Sequence, residues 1–305
     1  MYIYTDFCEQ FSCEMCGSCC RNDWQVTVDE AAYRRNACLY ASEGREAEFH
    51  KIFIPLQSKI PGEYASITKK TEGGCWFLDA DNSCRLHRKA GHAHLDAVCR
   101  LFPRYPIETS RGLELTLSFC CPAVLRRAGE RPVTIKRSDK PPLLFDETDF
   151  VAAVFPKQYA DFNLLHYYFE LEEYFIDVLQ TRSRSLDQRI ALIGQRLREL
   201  RQIKADETFG LNLSRFLRAG YENLAEEAAL DNGDADYLLV NFFVNLVFKK
   251  TFYIYGFEKG FSLMQNMWQH LDALKQANAS SERCRSEIMR LEFQYGHDRR
   301  SLGIL

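Results

Sequence analysis

The sequence has no apolar run long enough to cross a membrane. Its longest, Tyr237 to Phe248, is twelve residues broken by Asn241 and Asn245, whereas a spanning helix needs roughly 18 or more. Nor is there an excess of positive charge: 39 Lys and Arg against 42 Asp and Glu leave a formal net charge of −3. A global basic field is therefore missing, which argues against a nucleic-acid partner. The opening MYIYTDFCEQ lacks a basic n-region and an apolar h-region, so no secretory leader is expected and the chain reads as cytoplasmic. Internal repeats and low-complexity tracts are absent as well. What remains is a chain of 305 residues, 46% hydrophobic and 27% charged, ordinary for one large or two medium globular domains.

Cysteine is where the sequence departs from the ordinary. Cys13, Cys16, Cys19 and Cys20 fall inside FSCEMCGSCC, and four more follow: Cys75 and Cys84 in GGCWFLDADNSC, Cys99 in AVCRLFPR and Cys121 in SFCCP. Packing of small buried thiols explains one or two of these but not the spacing. The even count of 12 would suit a disulfide framework, but a large cytosolic chain keeps its thiols reduced. Clustered reduced thiolates then read as metal ligands. They suit zinc, copper(I) and iron–sulfur clusters. The serial Cys13-x2-Cys16-x2-Cys19 spacing is the tighter one found around cubane clusters, whereas structural zinc commonly takes paired knuckles. Cys19 and Cys20 are adjacent, which favours two metal sites or one cluster with a spare thiol. The eight sulfurs would fill two four-thiolate sites, or one cluster and one zinc; spacing leaves that partition open. His87 stands three residues after Cys84 and is a weaker ligand candidate, His92 and His94 weaker still. Arg100 and Arg104 flank Cys99 and would either offset thiolate charge or grip a carboxylate or phosphate.

The expected fold is α+β, mainly α: a small Cys-rich metal-cluster domain of short strands and loops over residues 1–145, packed on a C-terminal helical bundle over residues 146–305. The polar, proline-bearing segment Gly129–Pro142 marks the boundary. WQVTV alternates as a half-buried strand, Asp29 is placed to cap a helix over Glu30–Leu39, and a second helix is expected over residues 43–60, ended by Pro61-Gly62. GLELTLSF reads as a strand paired with PIET across Ser110-Arg111-Gly112, after which Cys120 and Cys121 diverge. Leu186, Ile190, Ile193, Leu197 and Leu200 form an apolar helical stripe, with Arg189, Arg196, Arg198 and Arg201 on its solvated faces. DYLLVNFFVNLVF is apolar all round and so reads as a buried helix in which Asn241 and Asn245 satisfy each other or nearby backbone. Two more helices carry Phe261, Met264, Trp268 and Leu271, then Cys284, Ile288 and Leu291. Cys284, far from the other cysteines, reads as core.

FSCEMCGSCCRNDWQV, GGCWFLDADNSCRLHRKAG, AVCRLFPR, LTLSFCCPAVLR and EYFIDVLQTRSRSLDQRIALIG resemble the flagellin lysine-N-methylase (FliB-type) family. That family lies within the YkgJ-like cysteine-cluster proteins described as zinc- or iron-chelating. The resemblance covers roughly residues 10–130 and 165–255. The chain departs from the family in ending sooner and in having Cys120 where a non-cysteine usually precedes the Cys-Pro pair. The resemblance implies methyl transfer from S-adenosylmethionine to lysine side chains of a protein, flagellin or another, with an iron–sulfur (4Fe–4S) cluster in the mechanism. No G-x-G loop follows a strand, so a doubly wound methyltransferase domain is not visible. The C-x3-C-x2-C spacing of radical enzymes is not found either. If S-adenosylmethionine binds, a cluster iron with an open position is one way to hold its amino acid moiety. Asp23 or Asp79 would take the lysine proton, though turn or capping roles suit both. The alternatives are an iron–sulfur redox or peptide-modifying enzyme, and a non-catalytic zinc-binding interaction module.

Overall fold

The computed structural model describes residues 1–57, 63–142, 153–154, 163–228 and 236–296. The fold is α+β and mainly α, and its architecture starts from one short hairpin. Strands β5 (Arg104–Thr109) and β6 (Gly112–Leu117) pair antiparallel, with Ile107 opposite Glu114 and Thr109 opposite Gly112, as the alternation of GLELTLSF predicts. Here β1 (Tyr2–Thr5) lies parallel to β6, β7 (Ile135–Ser138) antiparallel to β1, and β8 (Ala153–Val154) parallel to β5, giving the order β7-β1-β6-β5-β8. Thus β7 falls within the Gly129–Pro142 segment. Because β6 is central and covered on both faces, its polar residues are buried too: Glu114 and Thr116 are as enclosed as Leu115 and Leu117. Gly112 turns the hairpin at φ +128°, where a Cβ would stand 2.2 Å from the Met1 carbonyl oxygen. Gly112→Ala is therefore expected to cost about 1–3 kcal/mol or more, read as a lowered denaturant midpoint.

The helices build one core on this sheet, continuous from Ile3 to Leu291. At its centre the Tyr237–Phe248 helix is buried along ten consecutive residues, Leu239 to Phe248. Its two amides are satisfied as expected by backbone: Asn241 donates to the Ala128 and Arg131 carbonyls and accepts from Val133 N–H, and Asn245 donates to the Leu117 carbonyl. The Leu186–Leu200 helix buries Ile190, Ile193, Leu197 and Leu200, but Arg189 is not solvated. It is buried, donating to the carbonyls of Leu179 and Arg184, because it faces the C-terminal end of the Tyr168–Gln180 helix, whose last carbonyls lack intrahelical partners. Cys284, on the Ser281–Gly296 helix, is half-buried rather than a core residue.

A second, small core collects Val28, Tyr40, Phe49, Ile52, Phe53, Ile67, Phe77, Leu86 and Leu95 among its buried members. The Glu30–Ser42 helix starts as predicted, Asp29 accepting from Ala32 N–H at 2.7 Å. The helix expected over residues 43–60 is instead Glu46–Ile52 followed by β3 (Phe53–Pro55). Phe53 is buried against Tyr33, Tyr40 and Phe49 while its backbone pairs with Ile67 of β4 (Ala65–Ile67), and that ladder ends the helix. The Pro61-Gly62 stop lies outside the described residues. Only Thr27–Val28 of WQVTV is strand, β2, completing a β2-β4-β3 sheet.

Candidate metal centre

The cysteine loop is shaped by two left-handed residues, Met15 at φ +51° and Gly17 at φ +71°. A side chain at Gly17 would meet the Arg21 guanidinium at 2.9 Å, so the tight turn needs glycine. Arg21 closes the loop by donating to the Cys16 carbonyl at 2.8 Å and to Asn82 of the later cysteine segment. Met15 N–H points at Cys13 Sγ, 3.4 Å away.

All twelve cysteines are free thiols. Cys19 Sγ and Cys20 Sγ lie 3.9 Å apart, and the backbone of Cys75 docks on them, its N–H donating to the Cys20 carbonyl at 2.7 Å. Cys84 is carried alongside by a bridge to Leu78, and Cys99 by the short Ala97–Leu101 helix, which Asp96 caps while also accepting from Asp29 N–H. The hydrogen bond between the pair draws Cys19 down to about 7. The same bond, burial and the charges of Cys19, Cys75 and Cys99 push Cys20 up. Burial also pushes up Cys75 and Cys84, each feeling Cys19. At the end of the large sheet, Cys121 precedes the Pro122–Ala128 helix; burial, with the charges of Cys16 and Cys13, pushes its thiol up to about 11. Its neighbour Cys120 diverges, donating to the Met289 carbonyl. Among the described residues, no group of three or more His, Cys, Asp or Glu is arranged to hold a single metal ion. Reduced sulfur is nonetheless the donor type that a thiophilic metal takes.

The remaining candidates sit as follows. Arg104 is half-buried with its guanidinium 5.4 Å from the Phe11 ring centre, and burial holds its pKa below the usual arginine value. Arg100 donates to the Leu95 carbonyl. Asp23 is 95% exposed and paired with Lys69 at 2.5 Å; Asp79 is paired with Arg85 and Arg88. His87 is exposed beside the His92 ring, and His94 meets Asn36.

Pattern reading missed the buried charges that flank this region. Lys249 pairs with Glu292 at 2.5 Å, Glu292 accepts from Ser118, and the Lys249 ammonium lies 4.2 Å from the Tyr105 ring centre. Lys250 pairs with Glu114 and Glu172. Two lysines directly after an all-apolar helix were the available signal. Trp24 packs on both Phe102 and Phe293, joining the Ser281–Gly296 helix to the chain just after Cys20 and just after Cys99.

Two curated proteins of Salmonella typhimurium (strain LT2) and Salmonella choleraesuis are each 28% identical to this chain over 163 residues. Both are lysine-N-methylases. The match covers 52% of this chain and 39% of theirs, so it spans about two fifths of the methylases' length. Flagellar biosynthetic protein FliU of Salmonella muenchen is 26% identical over 137 residues, 44% of this chain and 80% of that protein. No family model matches the sequence, and no solved structure matches it. No helix among the described residues is long and apolar enough to cross a membrane.

Proposed function

We propose that this protein is a protein-lysine methyltransferase that uses S-adenosylmethionine, takes a flagellin-type substrate and carries a thiolate-bound iron–sulfur cluster. The likeness to lysine-N-methylases over half of the chain is the observation that carries this reading. Cys13, Cys16, Cys19, Cys20, Cys75, Cys84, Cys99 and Cys121 would hold the metal. When bound, iron supplies an open coordination position for the amino acid moiety of S-adenosylmethionine. Arg104 would pair with its carboxylate, the half-buried guanidinium losing little side-chain freedom in doing so. The lysine Nζ, neutral, attacks the methyl carbon; the carbon–sulfonium bond breaks, S-adenosylhomocysteine leaves, and a proton passes from nitrogen to a carboxylate or water. Alignment of nitrogen, carbon and sulfur is the main requirement. Asp23 would have to release Lys69 to take that proton, and Asp79 its two arginines.

One observation favours the zinc-module reading. The Cys19–Cys20 sulfur separation of 3.9 Å is close to the edge of a tetrahedron of zinc–sulfur bonds, about 3.8 Å for a bond of 2.3 Å. The test is to incubate iron-replete protein with flagellin and isotope-labelled S-adenosylmethionine. Label on flagellin lysines is the expected result. Absence of transfer, together with no heat of S-adenosylmethionine binding in calorimetric titration, would leave the iron–sulfur redox or peptide-modifying enzyme; protein that takes up zinc and no iron would leave the zinc module.

A further inference from the structure

We propose that a cavity between three helices of the large core is a binding site for a small oxyanion, a phosphate or a carboxylate. Its lining contains no residue of the cysteine segments, and nothing about it depends on a metal.

The cavity, of about 190 Å³, lies where the Tyr168–Gln180, Leu186–Leu200 and Phe209–Ala228 helices meet. Tyr174, Leu192 and Leu224 wall it, and Arg184, Arg196 and Asn223 bring donors to it. Among the described residues, no carboxylate is part of the lining. Gly220 completes the wall and has to be bare. A Cβ there would stand 2.7 Å from Tyr174 Oη and 2.8 Å from its ring, so any side chain would push Tyr174 out of place.

Both guanidiniums are set by their surroundings. Arg184 lies in the short turn between the Tyr168–Gln180 and Leu186–Leu200 helices. Buried Arg189 ties that turn down, its Nε donating to the Arg184 carbonyl and its Nη1 to the Leu179 carbonyl. The capping box of Ser185 and Gln188 fixes the residues that follow. Arg196 projects from the Leu186–Leu200 helix, its guanidinium 5.3 Å from the Phe216 ring centre. Its Nη1 donates to Glu199 at 2.8 Å, but its Nε is enclosed with no acceptor among the described residues. An enclosed N–H without an acceptor costs stability. The acceptor that a guanidinium takes best is an oxyanion, which two parallel N–H groups can grip.

Size narrows the ligand. Pockets for drug-sized molecules run to about 300–1,000 Å³, and this cavity is smaller. It suits a phosphate ion or the carboxylate end of a small acid and is too small for a nucleotide.

The test is calorimetric titration of the full chain with inorganic phosphate, ionic strength being held constant with chloride. One saturable site is expected. Asn223→Asp places a negative charge in the lining at an exposed position, and Arg196→Gln removes a guanidinium. Each should weaken binding by about tenfold or more, as losing a hydrogen bond to a charged group does. Should Arg196→Gln fail to fold by circular dichroism, Asn223→Asp decides alone, because an exposed isosteric change leaves the core untouched. Acetate titrated in the same way separates the two sources, the tighter anion naming the ligand. No saturable heat with either anion, or an affinity unchanged in Asn223→Asp or in folded Arg196→Gln, would overturn the site.

Discussion

Lys250→Met is expected to lower stability by about 3–5 kcal/mol, the usual cost of leaving a buried charge without its partner. Lys250 is fully buried, and its ammonium meets Glu114 and Glu172, both equally enclosed, with Arg111 closing the network onto Glu173. Burial pushes Glu114 up, but Lys250 and Arg111 outweigh it and hold the carboxyl below its usual range. In Glu172 burial wins, leaving the group above the usual range despite Lys250. The pH signs therefore oppose each other. Glu114 contributes stability that is lost as pH falls through its lowered pKa, while the cost of ionised Glu172 is relieved as pH falls through its raised one. Without Lys250 both carboxyls rise, so the variant's deficit should be largest near pH 7 and shrink toward about pH 5. Urea unfolding at both pH values measures this. A deficit below about 1 kcal/mol, or one that grows on acidification, would show that Lys250 does not neutralise the pair. Glu114→Gln/Glu172→Gln in the Lys250→Met background should recover part of the loss.

With the proposed metal bound, its removal is expected to loosen residues 24–57 and 63–95 while leaving the helical core intact. Among the described residues the small core has 11 buried members, and a core of that size rarely holds a fold without a staple. Cys75 and Cys84 pack directly against it, so ligation there is folding free energy. Hydrogen exchange on chelator-treated, reduced protein should show faster exchange in β2, β3, β4 and the Glu30–Ser42 helix. The amides of Tyr168–Gln180 and Tyr237–Phe248 should be unchanged, because those helices belong to the other core. Uniform protection with and without metal would mean the thiols do not staple this lobe.

Local periodicity carried most of the fold. The alternation in GLELTLSF, the cap at Asp29 and the all-apolar DYLLVNFFVNLVF each dictate one local answer, and those elements form where expected. Phe53 was harder to place, because Phe49, Ile52 and Phe53 also fit a helical face. The competing β3–β4 ladder depends on residues more than ten positions away. The same limit applies to the thiols. Their number and clustering are plain in the chain, but which segments meet depends on Cys20 bonding to Cys75 and Glu14 pairing with Arg126, contacts between residues far apart in sequence. Alternation puts Glu114 on the strand face opposite Leu113, Leu115 and Leu117, and the coverage of β6 on both faces makes it a buried charge.

On the proposed reading, these thiols hold iron that takes part in methyl transfer. Iron, acid-labile sulfide and zinc, measured on anaerobically purified protein together with the visible spectrum, test it most directly. Iron and sulfide in comparable amounts, with broad absorption near about 400 nm as thiolate-bound clusters give, is the predicted result. Zinc alone in a colourless protein would contradict it.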